Sequence, residues 1–61
     1  MRLEIEILQE QLLPDGTLFQ LFSYAGRYHV RVSWGGDTKY CGNYADREVA
    51  EVEYSSCLMT Y

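Results

Sequence analysis

Basic residues are scarce in this chain: five Lys and Arg stand against nine Asp and Glu over 61 residues, a net charge of −4. That balance argues against nucleic acid as a direct partner, because a phosphate backbone is repelled by a surface of its own sign. Histidine occurs once, at His29, and cysteine twice, at Cys41 and Cys57. These soft donors fall short of the roughly four ligands a structural zinc site needs, so neither metal nor any other cofactor is expected. The thiols are expected to be free, as a reducing compartment keeps them, although a bond between them would join the last strand to the helix. No apolar run approaches the roughly 20 residues of a membrane helix. A secretory leader needs an unbroken apolar stretch, and Met1-Arg2-Leu3-Glu4-Ile5-Glu6-Ile7 alternates charged with apolar residues instead. The chain therefore reads as a complete cytoplasmic product with no membrane association, one domain spanning 1–61.

What is abundant is aromatic surface: six Tyr, two Phe and one Trp. A domain of about 60 residues buries only about 60% of the surface its open chain exposes. Large rings give such a small core much apolar area per residue ordered. Alternation predicts a first strand over 3–8, with Leu3, Ile5 and Ile7 on one face and Glu4 and Glu6 on the other. Leu8, Leu12 and Leu13 break that alternation and predict a bend or bulge before Pro14-Asp15-Gly16, a strong turn signal. A second strand is predicted at Thr17–Tyr24 and a third at Arg27–Trp34, with Tyr28, Val30, Val32 and Trp34 facing one way. Gly35-Gly36-Asp37 reads as a hairpin turn into a short fourth strand, Thr38–Cys41. From about Tyr44 the period changes to that of a helix, with Asn43 as the expected N-cap and Asp46 and Glu48 favourably placed in its first turn. Ala50, Tyr54, Cys57, Leu58 and Tyr61 gather on one side of it. The expected class is α+β: an antiparallel β-meander of three or four strands packed on one C-terminal helix.

Catalysis lacks its parts. His29 lies in mid-strand between two arginines, Ser55-Ser56 and Cys57 have no local activating partner, and the glycines sit at turns, with no phosphate loop among them. A binding protein is expected, without enzymatic activity. Two surfaces are candidates. Asp46, Glu48, Glu51 and Glu53 lie within eight residues, opposed by Arg47 alone, with Asp37 at the hairpin tip as an extension. Val52 and Met59 fall away from the main apolar stripe, beside Glu48, and Val49 fits either side. An apolar pair among carboxylates has the makings of a small interface for a basic partner, since the centre excludes water and the acids steer. The competing reading is a solvated helix face.

The other surface is Arg27, His29 and Arg31, in line on one face of a strand. These cations either meet phosphates or pair with Glu4 and Glu6 in a cross-strand ladder; the overall charge favours the ladder. Gly26-Arg27-Tyr28-His29-Val30-Arg31-Val32, the Gly-Gly-Asp hairpin and Gly42-Asn43-Tyr44 leading into a helix make residues 26–61 similar to the sheet-plus-helix DNA-binding modules of AP2 and integrase arm-binding type. That similarity implies a small regulator reading DNA with Arg27, His29 and Arg31, against which the Glu-rich first strand and the net charge stand. In overall character, being small, acidic and aromatic-rich, the chain more closely resembles phage and mobile-element inhibitors of the anti-CRISPR type. That resemblance implies a bacterial host and, as partner, a basic surface of a protein or nucleoprotein complex such as a CRISPR-Cas effector. The helix carboxylates would stand in for phosphates. Apart from the resemblance, a monomer or weak homodimer is expected, the homodimer forming through an edge strand or the Val52/Met59 patch.

Overall fold

The chain reverses direction where its turn residues fall. A computed structural model describes residues 4–60, in the order β1 (Glu6–Leu12), β2 (Leu18–Tyr24), β3 (Arg27–Trp34), β4 (Asp37–Tyr44) and α1 (Arg47–Thr60). The strands form one sheet in the order β1-β2-β3-β4, each antiparallel to its neighbour. The class is α+β, a four-stranded meander with α1 against one face. Tyr24 pairs with Arg27 and Trp34 with Asp37, so both inner hairpins have two-residue loops. Ala25 and Gly26 have φ of 53° and 77°, and Gly35 and Gly36 have 61° and 82°. Positive φ at both central residues matches the right-handed twist of the flanking strands. The first turn is wider: the Leu13 N–H donates to the Thr17 carbonyl at 2.8 Å. The Thr17 N–H donates to Asp15 Oδ1 at 2.9 Å, which holds the Asp15 carboxyl below its ordinary pKa.

The core lies between the sheet and α1, which packs on β2, β3 and β4. Phe19 and Leu21 of β2, Val30 and Val32 of β3, and Ala50, Tyr54 and Cys57 of α1 form one buried cluster. Leu8, Leu13, Tyr28, Tyr40, Tyr44 and Leu58 close its margins. Burying each large aliphatic or aromatic side chain contributes about 1.5–3 kcal/mol. The expected helix stripe is thus present over Ala50, Tyr54, Cys57 and Leu58; Tyr61, like Leu3, lies outside the described residues.

Three expectations need correction. The first strand runs over Glu6–Leu12 instead of 3–8, with the register shift of a bulge between Ile7 and Gln9. The extra residue reverses the inside–outside alternation, so Leu8 packs on the core while Ile7 pairs with Phe22 on the uncovered face. The fourth strand continues past Cys41 to Tyr44. Gly42 is a strand residue there because the Tyr44 ring lies over it: an added Cβ would stand 2.7 Å from Tyr44 Cε2. The helix begins at Arg47 with Asp46, not Asn43, as its cap. Asp46 Oδ1 accepts the Glu48 N–H at 2.9 Å, and its carbonyl accepts the Ala50 N–H at 3.1 Å. The Asn43 side chain instead accepts a hydrogen bond from Arg27 Nε.

Candidate functional site

With Ala50, Tyr54 and Cys57 turned inward, a helix advancing about 100° per residue must turn Val52 and Met59 outward. Both stand in solvent, 67% and 87% exposed, and Val49 joins them at 48%. Glu48 and Ser55 border this stripe on one side and Ser56 on the other, with Glu51 and Glu53 farther round on opposite flanks. Glu48, Glu51, Val52, Ser55, Ser56 and Met59 line a shallow depression, floored by the two small serines between larger neighbours. The structure therefore brings together the predicted apolar pair and two of the predicted acids, Glu48 and Glu51, leaves Glu53 on the far flank, and assigns Val49 to the outer face.

The carboxylates are not equivalent. Glu51 accepts from Arg47 Nε at 2.9 Å, an exposed (i, i+4) ion pair worth only about 0.3–0.5 kcal/mol. Asp46 is engaged as the helix cap. Glu53 is half-buried, and its charge adds to the burial that pushes the Cys57 thiol up. The Tyr44 hydroxyl is pushed up mainly by its 2.7 Å hydrogen bond with the Tyr40 hydroxyl and by burial, with Glu53 contributing. Glu48 is exposed. Asp37 does not join this group: it begins β4 at the end away from the helix, and Lys39 Nζ lies 3.8 Å from it.

Arg27, His29 and Arg31 share the face of the sheet that α1 leaves uncovered. The cross-strand ladder with Glu4 and Glu6 is not formed. The bulge puts Glu6 opposite Ser23, on the helix side, and among the described residues neither arginine has an ion pair. Neutral amides orient them instead. Gln20 Oε1 accepts from Arg31 Nε at 3.0 Å and from Arg31 Nη2, while Gln20 Nε2 donates to Glu10 Oε2 at 2.8 Å. Arg27 is held by Asn43. The His29 ring stacks on Phe22 at 5.1 Å and 13°, and the Arg31 guanidinium lies 5.6 Å from the same ring centre. His29 Nε2 is buried and has no hydrogen-bond partner among the described residues. Sequence reasoning missed Gln20 and Asn43; their signal was position, since each opposes a residue of the cationic row once the register is known.

The remaining groups are apart from one another. Cys41 is exposed on the uncovered face, opposite Arg31, whereas Cys57 is buried under α1; the sheet separates them and both are free thiols. Among the described residues no cluster of three or more metal-ligating side chains occurs, and no helix is long and apolar enough to cross a membrane. A separate cleft lined by Asp15, Thr17, Trp34 and Gly35 was not foreseen; the Lys39 ammonium lies 5.5 Å from the Trp34 ring centre beside it. No protein family, no curated protein and no solved structure matches the chain.

Proposed function

We propose that this chain is a non-enzymatic binding protein whose outer helix face occupies a basic surface of a protein or nucleoprotein complex. One observation carries the reading: Val49, Val52 and Met59 form an exposed apolar stripe with Glu48 and Glu51 on one flank and Glu53 on the other. Apolar residues in the centre exclude water when covered, and carboxylates at the rim attract and orient cations. A surface that normally grips phosphate presents arginines and lysines, and these carboxylates compete for them, so the partner is blocked by mimicry of nucleic acid or by simple occlusion. On the resemblance to anti-CRISPR proteins, that partner is a CRISPR-Cas effector of a bacterial host and the setting is phage defence.

The test is capture from bacterial lysate with the wild-type chain beside Glu48→Lys/Glu51→Lys and Val52→Asp variants, all checked for folding by circular dichroism. A basic partner retained by wild type and lost by both variants at moderate salt is the expected result. Retention by the charge-reversed variant refutes mimicry.

A second reading, a sheet-face DNA-binding regulator, draws on Arg27 and Arg31 being held by neutral amides, which leaves their charge available to phosphates. Titration of labelled duplex at low salt decides it: no binding near micromolar concentration rejects it.

A further inference from the structure

Among the described residues two faces are left without a covering layer, and each has what the other lacks. Outside α1, Val49, Val52 and Met59 are exposed between carboxylates. Beyond the sheet, Ile7, Leu12 and Tyr24 are exposed around the Arg27–His29–Arg31 row. Together these six make up most of the large hydrophobics exposed among the described residues. Each face has apolar side chains beside charge, negative on the helix and net positive on the sheet, where Arg27 and Arg31 outnumber Glu10. A sheet packs most stably with a layer on each apolar face.

We propose that a second copy of this chain supplies that layer: the outer face of α1 in one molecule docks on the uncovered sheet face of the next, with Glu48 and Glu51 meeting Arg27 and Arg31. The arginines suit the role because Gln20 and Asn43 hold them in place without neutralising them. Dimensions agree: a helix of 14 residues is about 21 Å long, and strands of 7 or 8 residues run about 23–27 Å. The two faces lie on opposite sides of the molecule, so the contact is head-to-tail and runs on from copy to copy rather than closing a two-fold pair. One helix face covers only a few hundred Å² per partner, below the roughly 800 Å² of a standard interface, so the association is weak and salt-sensitive. Because it uses the face proposed above for a basic partner, self-association and partner capture exclude each other. The inference does not depend on that partner existing.

Sedimentation equilibrium tests it, from about 10 µM to about 1 mM in reductant at about 0.05 M salt, where surface charges are weakly screened. The expected weight-average mass climbs past twice the 7.1 kDa of the monomer without a plateau, and returns to the monomer near 1 M salt. Glu48→Lys/Glu51→Lys alone and Arg27→Glu alone each remain monomeric at low salt. An equimolar mixture of the two associates, because the unaltered helix face of the Arg27→Glu chain meets the unaltered sheet face of the other. A monomer throughout, a plateau at the dimer, or undiminished association of either variant alone overturns the proposal. Circular dichroism verifies that the variants fold; if Arg27→Glu does not, the salt response and the helix variant decide. Partner capture in nanomolar solution, where copies do not meet, reports separately on the proposed function.

Discussion

Gly42→Ala is the sharpest test of how this sheet is built. The new Cβ would lie 2.7 Å from Tyr44 Cε2 and 2.8 Å from Cζ, where real Cβ atoms essentially never come within 3.0 Å. Gly42 pairs with Val30, which is completely buried, so the backbone of β4 has little freedom to retreat. The Tyr44 ring must move, and with it goes the 2.7 Å hydrogen bond to Tyr40. Overpacking of this kind costs about 1–3 kcal/mol, and the lost hydrogen bond about 0.5–1.5 kcal/mol. A sum near 2–4 kcal/mol is a large share of the roughly 3–9 kcal/mol expected for a domain of this size. At about 4–8 °C per kcal/mol, Tm falls by about 10–25 °C. Thermal and urea unfolding followed by circular dichroism measure it. A double-mutant cycle then isolates the clash: with Tyr44→Ala in place, Gly42→Ala becomes nearly neutral. Loss of under about 0.5 kcal/mol in the wild-type background, or strict additivity in the cycle, refutes the reasoning.

Ala25 has φ of 53°, a conformation that costs an L-residue with a Cβ about 1–2 kcal/mol. Ala25→Asn is therefore expected to stabilise the chain by about 1 kcal/mol, read as a higher urea midpoint at unchanged slope. Asp46→Ala removes the helix cap and costs about 1 kcal/mol, seen in the same unfolding curves. Burial raises the Cys57 thiol above its ordinary 9.0 and the Tyr54 hydroxyl above 10.0, and the Tyr40 contact raises Tyr44 above 10.0. Groups raised in the folded state contribute stability that is fully present below the unfolded values and lost above them. The urea midpoint is thus expected to fall from about pH 9, first through Cys57, and more steeply above about pH 10; a midpoint flat to pH 11 contradicts this. In the native protein a thiol reagent labels Cys41 quickly and Cys57 only on unfolding.

Much of this architecture was legible because two periodicities are clean. Arg27–Trp34 alternates without interruption and is β3 to the residue. Ala50, Tyr54 and Cys57 recur at helical spacing and are the buried side of α1. The leucines that disturb the alternation at Leu8 did announce a bulge, but its effect on phase depends on register with β2, which no local pattern carries. That single residue moved Glu6 off the cationic face, and β2 lies between β1 and β3, so the expected ladder had no neighbouring strands to form on. At Gly42-Asn43 local turn chemistry lost to tertiary packing, since only the ring of Tyr44 explains why a glycine belongs inside a strand. The acidic helix face was readable as a spacing of charges. The amides that hold Arg27 and Arg31 were not, because they come from other strands.

Among the described elements α1 approaches β2, β3 and β4, whereas the backbone of β1 lies beside β2 alone. Its hydrogen bonds consequently form the outermost and thinnest layer of the molecule, and its amides are the first expected to exchange with deuterium, ahead of any global opening. Each time β1 peels away, β2 is left with a bare edge and Phe22 loses the strand beside it. The stretch before Pro14 is thus the place where this chain would first come undone, and where a protease or a swapped strand would gain entry.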